Sequence, residues 1–345
     1  MSVQKELQEI RNGQIAPVYL LFGEEEYLIN QVKAEIETVA FPQGTDEMSK
    51  TVYDLNNNSL SQVLMEAQEI PFFSEKRLII AENPSFLTTK KATNSSVHNI
   101  DELLEYLKAP SEDTILLFLV QGAVDGRSKA VKALKKSAEI IEATPLAANE
   151  TKVYVSQYLK NEGITFSPES LEALMERTNY ALSPSMNEAQ KLILLSSKDK
   201  KFTAQDVRNL VAKSLEQNIF DLSEYVLAGN AGKAISLLDD LLLQGENIIA
   251  LNGILLSKIR LILQTQLLMK ESFQQGQIAQ SLGVNPYPVK LAMQQARKFD
   301  MQLLSYIFDQ LVEMDYKMKT SQMENKLLFE LTILDITEKI RGRNT

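Results

Sequence analysis

The 345-residue sequence has no cysteine and a single histidine, His98. Disulfides and zinc ribbons are therefore excluded, and nucleophile pairs built on Cys-His or Ser-His nearly so. The missing cysteines also fit a reducing cytoplasm. Long apolar runs are lacking as well. The longest aliphatic stretch, Ile115 to Val120, falls far short of the roughly 20 residues of a membrane helix. No basic-then-apolar leader opens the chain, so the expectation is a soluble, cytoplasmic protein without a membrane partner. Basic charge is in deficit: 36 Lys and Arg stand against 45 Asp and Glu, a net −9. Residues 1–145 hold 14 basic and 22 acidic residues, 146–213 hold 9 and 8, and 214–345 hold 13 and 15. Affinity for nucleic acid comes largely from cations that neutralise phosphates, so the chain alone is expected to bind it poorly.

The length suits two or three domains of about 100 to 150 residues. In the first third, short aliphatic runs at Val18 to Phe22, Arg77 to Ala81 and Thr114 to Val120 read as buried parallel strands, and a last apolar piece, Ile140 to Glu142, ends at Thr144-Pro145. Helical stretches are expected at Tyr27 to Val39, Leu60 to Glu69, Ile100 to Leu107 and Lys129 to Lys136. The pattern predicts a parallel sheet with helices on both faces, and residues 83–99 read as a solvated connection. From Thr151 onward strand signals vanish. Ser167-Pro168 is a cap followed by proline at the first helical position. Ser185 to Glu188 reads as a capping box, and Thr203 to Asp206 as a weaker copy. A small helical domain over 146–213 follows, and then an all-helical region over 214–345. Within it Ile248 to Lys270 is apolar on several sides and must be covered on several sides.

Two glycine segments invite a phosphate-binding reading. After the first strand, Gly23 is followed by Glu24, Glu25 and Glu26 at a helix start. Carboxylates are stabilised at that positive end, where they would repel a triphosphate. Gly122 to Lys129 has the strand-to-helix context, but three residues instead of four separate its glycines, and Asp125 sits in the loop. A divergent NTPase using this segment is one alternative, and a helical adaptor with a purely structural sheet is another. No catalytic residue, cofactor, metal or small-molecule substrate is expected.

The segment Ile70-Pro71-Phe72-Phe73-Ser74-Glu75-Lys76-Arg77 puts two phenylalanines where a helix ends and a strand begins. Adjacent side chains point about 100° apart on a helix and to opposite faces on a strand, so both rings hardly share one core pocket. Either they pin the helix end to the sheet, or they form an exposed apolar tip of the kind that serves as a hot spot. His98, in a polar loop, is expected to be solvated. The short basic runs Lys90-Lys91, Lys132 with Lys135-Lys136, and Lys198 with Lys200-Lys201 read as wet faces; a minor role in touching DNA is the alternative for some of them and for Lys317 and Lys319.

In this order, the pieces resemble the delta subunit of the bacterial DNA polymerase III clamp loader. The resemblance rests on Val18 to Ile29; Phe72-Phe73 with Arg77 to Ala81; Asn187-Glu188 with Lys191-Leu192; Phe220-Asp221-Leu222; Gly245-Glu246; Lys258 and Arg260; Leu282-Gly283 with Pro286 to Lys290; Ala296-Arg297; and Asp315 with Lys317, Lys319 and Thr320. Ala181-Leu-Ser-Pro184 departs from the family's glycine-asparagine turn. The resemblance implies an AAA+-like α/β domain without a working ATP site (1–145), a helical lid (146–213) and a helical collar for oligomerisation (214–345). It also implies that Phe72 and Phe73, flanked by Ile70, bind the beta sliding clamp and help to open it. The implied partners are tau/gamma ATPase subunits and delta-prime, with primed DNA met only within the complex.

Overall fold

The computed structural model describes residues 3–44, 49–71, 74–89, 98–195, 202–284 and 286–342, excepting the side chain of Glu216. It divides into two compact units, Met1–Pro145 and Leu146–Thr345.

The first unit alternates helices and strands: α1 Val3–Arg11, β1 Val18–Gly23, α2 Glu26–Ala40, β2 Lys50–Asp54, α3 Leu60–Ala67, β3 Arg77–Glu82, α4 Ile100–Tyr106, β4 Thr114–Gln121, α5 Lys129–Ser137 and β5 Glu139–Ala143. The strands form a parallel sheet in the order β2-β3-β4-β1-β5. β1 and β4 lie inside it, which is why both read as unbroken aliphatic runs. Side chains alternate between the two faces of a strand. Val18, Leu20, Phe22, Ile79, Leu116 and Phe118 accordingly pack with the inner sides of α3, α4 and α5. Tyr19 and Leu21 point the other way, where α2 lies against β1 and α1 against β5. This is the parallel sheet with helices on both faces that the sequence pattern predicts.

Two elements escaped the sequence reading. β2 reads Lys-Thr-Val-Tyr-Asp and is only half-buried at the sheet edge, so it lacks an apolar run. α1 buries Val3, Leu7 and Ile10 at helical spacing. The 83–99 connection is not wholly solvated either. Ser85–Leu87 forms a 3-10 turn with Leu87 buried, and Phe86 packs edge-on against Phe118. His98 is likewise not a free solvated side chain: its Nδ1 accepts from the Leu60 amide at 3.3 Å, at the start of α3. Burial pushes its pKa down, opposed by a hydrogen bond with the Leu55 backbone. A free amide at a helix start is a strong hydrogen-bond seeker, and a partly desolvated imidazole meets it.

The second unit is all helix among its described residues: α6 Ala148–Asn161, α7 Pro168–Arg177, α8 Leu182–Leu194, α9 Ala204–Leu210, α10 Leu215–Leu227, α11 Ala231–Leu243, α12 Ile248–Lys270, α13 Gln275–Leu282, α14 Pro286–Ala296, α15 Met301–Thr320 and α16 Asn325–Arg341. Ser167 caps α7 with Pro168 in its first turn, and Thr203 with Asp206 makes the expected capping box of α9. The Ser185 box does not form. α8 starts at Leu182, and the fully buried Ser185 turns its hydroxyl to the Ala181 carbonyl (2.7 Å) and to the Thr178 hydroxyl (2.7 Å). A serine one turn into a helix can bond back to the carbonyl four residues earlier, and here a second bond, to Thr178, ties α8 to the end of α7. α12 packs against α10, α14, α15 and α16, burying Leu251, Leu255, Ile259 and Ile262. Ile249, Leu256 and Leu261 are partly buried against the same core. By length and composition α12 is the one helix among the described residues that could cross a membrane; in the structure those four side chains are core residues of the bundle.

Candidate functional site

The turn after β1 is where a phosphate site would lie. Gly23 has φ +144°, and a Cβ there would stand 2.0 Å from the Ala143 carbonyl oxygen. Only glycine permits so close an approach at that φ. The amides of Glu24 and Glu25 both donate to that same oxygen, at 3.0 and 2.9 Å, and the Gly122 amide donates to the Gly23 carbonyl at 2.8 Å. Donors that would cradle an anion are thus spent on the end of β5. The helix starts at Glu26, so of the three glutamates only Glu26 lies in its first turn; Glu25 is its cap, buried and accepting from the Tyr27 amide at 3.4 Å. A cleft of about 550 Å³ remains beside the turn, lined by Glu24, Glu26, Glu82 and Lys33 among others. Its lysine is paired with Glu82 at 3.2 Å.

The second glycine segment is also bound inward. The Asp125 amide donates to the Leu87 carbonyl at 2.7 Å, and the Ser128 hydroxyl to the Phe86 carbonyl at 3.2 Å. The Asp125 carboxylate accepts from the Arg127 amide at 3.0 Å, which holds its pKa below the usual range. Lys129 reaches Asp101 of α4 at 2.8 Å. These contacts make a braced strand-to-helix turn.

The end of α3 is built differently. Ser59 and Gln62 form a capping box at its start, and Leu60, Val63, Leu64 and Ala67 are buried beneath it. Glu66 fastens the helix to the edge strand: its carboxylate accepts from Thr51 Oγ1 at 2.7 Å and from the Tyr53 hydroxyl. That second bond, with burial, pushes the Tyr53 pKa up to about 12. Arg77, only 9% exposed, sends Nη1 to the Glu66 carbonyl at 2.8 Å and to Glu69 Oε2 at 3.4 Å. A cation on the last carbonyls satisfies orphan acceptors and complements the helix dipole. Beyond the segment, Ser49 Oγ donates to Ser74 Oγ at 2.9 Å, and Lys76 Nζ to the Glu112 carbonyl at 2.6 Å. Between these two anchorages Ile70 is 74% exposed, and Met65 on the outer side of α3 is 68% exposed.

Phe72 and Phe73 lie outside the described residues, so of the three residues singled out for binding the structure describes Ile70 alone. The sequence reading missed Met65 and the bracing role of Arg77. A basic residue four positions past a pair of aromatics gives no sign of bonding back to the helix before them. The remaining basic residues split. Lys317 and Lys319 pair with Glu313 (3.4 Å) and Asp315 (2.6 Å) on their own helix. Lys132, Lys135 and Lys136 are exposed on α5; Lys90, Lys91, Lys198, Lys200 and Lys201 lie outside the described residues.

Comparison with known proteins points one way. Residues 19–144 match the family model described as DNA polymerase III, delta subunit. Residues 216–336 match that of the DNA polymerase III delta subunit, C-terminal domain. The chain is 37% identical over 333 residues to the DNA polymerase III subunit delta of Bacillus subtilis, covering 96% of each. It is 24% identical over 230 residues to a probable DNA polymerase III subunit delta of Aquifex aeolicus, covering 65% of this chain and 63% of that one. Among solved structures it is similar to the Bacillus subtilis DNA clamp loader delta protein, with a TM-score of 0.71 at 36% identity over 97% of this chain and 99% of the other.

Proposed function

Because the chain belongs to the DNA polymerase III delta subunit family, we propose that it works as the clamp-loader subunit that grips and opens the beta sliding clamp with the apolar end of α3. The observation that carries this reading is Ile70, left in water at a helix end that Arg77 and Glu66 hold in place. Exposed apolar residues on a rigid support lose little entropy on docking, and a few such residues carry most of the energy of an interface. Phe72 and Phe73 are the main anchors and Ile70 the flank. Opening follows from differential binding: a subunit that holds the open ring better than the closed one shifts that equilibrium. Hydrolysis belongs to tau/gamma ATPase partners, since the turn after β1 spends its amides on Ala143 and faces its cleft with glutamates. Residues 1–145 would bind the clamp, 146–213 act as a lid, and 214–345 join the partner subunits, delta-prime among them, in the cytoplasm.

The test is a titration of the cognate clamp with wild type and with the Phe72→Ala/Phe73→Ala double variant. Removing both rings is expected to weaken binding by about 3 to 6 kcal/mol, with the thermal unfolding curve unchanged. A folded double variant that binds at full strength overturns the assignment. One that unfolds supports the purely structural sheet instead.

A further inference from the structure

The collar-side helices carry a cation to a place with no anion to meet it. Lys258, half-buried on α12, holds its amine 4.5 Å from the centroid of the Phe220 ring. Among the described residues it makes no ion pair and no hydrogen bond, whereas Lys213, Lys319 and Lys326 of the same unit are paired to Asp221, Asp315 and Asp239. Glu224 acts on it only at a distance, and one of its carboxylate oxygens is engaged by Gln295 Nε2. Burial lowers the Lys258 pKa to about 8, the expected direction for an ammonium that has lost water without gaining a counter-ion.

A cavity of about 310 Å³ is lined by both Lys258 and the Phe220 ring that its amine covers. Its apolar walls include Phe220, Ile254, Leu261, Leu282, Val284 and Leu291, all half-exposed. The rest of its described lining is neutral, with the amides of Asn179, Gln217 and Gln264 and the hydroxyl of Ser257, so Lys258 is the one charge there. An apolar concavity with one well-placed charged group is the usual make-up of a small-molecule site, and the volume stands at the lower end of the range of about 300 to 1,000 Å³ for such sites. That is room for one ring or short chain with its head group.

We propose that this cavity binds a small carboxylate with an apolar body, with Lys258 as its counter-ion and the walls around Phe220, Ile254 and Leu261 as the seat of the body. The site is separate from the end of α3 and does not rest on the clamp reading. The test titrates the full chain calorimetrically with 4-phenylbutyrate, its neutral isostere 4-phenylbutanamide, and 4-phenylbutylamine. The acid is expected to bind about tenfold or more tighter than the amide, as suits a hydrogen bond to a charged group, and the amine weakest. Lys258→Met should abolish the acid's advantage while leaving the amide's affinity unchanged, with the fold checked by circular dichroism. Equal affinities for acid and amide, no binding of the acid at millimolar concentration, or an acid preference that survives Lys258→Met overturns the proposal. Should that variant fail to fold, the three-ligand comparison on wild type decides alone.

Discussion

Two loops of the sheet unit invite comparison: the turn after β1 and the segment after α3. Each joins a strand and a helix, and each holds residues the sequence marks as unusual. The first turns everything inward. Gly23 sits against the Ala143 carbonyl, two amides converge on that oxygen, and the neighbouring lysine is neutralised by Glu82. The second uses its polar groups as guy ropes and leaves Ile70 and Met65 in water. A fold of this class normally keeps its ligand at the strand ends. Here the strand-end turn has become packing, and the side chains free to engage a partner stand at a helix end instead.

The sharpest way to break the comparison is the loss of Phe72 and Phe73, which should remove clamp binding and spare stability. Gly23→Ala should do the reverse. A Cβ in contact with backbone at positive φ is expected to cost about 3 kcal/mol or more in urea unfolding, while the folded fraction keeps its clamp affinity. A neutral Gly23→Ala would mean that the turn is not sealed. Arg77→Met should move both quantities, because it leaves the Glu66 carbonyl without its charged donor: about 1.5 to 3 kcal/mol of stability and a measurable drop in clamp affinity. Unchanged affinity in that variant would uncouple bracing from display. Ile70→Ser should weaken the clamp complex by less than about 1.5 kcal/mol and leave stability within about 0.5 kcal/mol.

The smallest effect concerns the far side of the sheet unit. Glu6 on α1 is buried; desolvation, and then the charge of Glu139 on β5, raise its pKa. Glu9 reinforces the rise and Lys5 opposes it. A raised folded-state pKa means the native state binds this proton more tightly than the unfolded chain does. Its contribution is full below the ordinary carboxyl range and is lost as pH rises through the shifted value. Glu6→Gln, which has no such proton to lose, should therefore gain stability over wild type between acid and neutral pH, and equal it near the acid end. Denaturant unfolding at several pH values checks the trend.

How much of this was legible depended on whether a residue's partner lay close in sequence. The inner strands and α12 announced themselves, because full burial writes itself as an apolar run. β2 did not, since an edge strand with Lys50, Thr51 and Asp54 satisfies its neighbours through polar contacts such as Thr51 to Glu66. The Thr203 box was readable because both partners lie within four residues. Ser185 misled for the converse reason: a buried hydroxyl on the preceding helix end, Thr178, competes for it. His98 was misjudged because its acceptor role serves Leu60, 38 positions away. In the candidate site the apolar cluster at 70–73 could be read directly, whereas its bracing by Arg77, Ser49 and Glu66 could not, since those bonds join segments that meet only in the fold.

The position of Ala143 has one more implication. It is the last residue of β5, and the chain leaves the first unit at Pro145. The carbonyl that fills the turn after β1 therefore lies two residues from that exit. A substitution that displaces the end of β5 is therefore expected to loosen the Gly23 turn as well, since the amides of Glu24 and Glu25 both close on that one carbonyl.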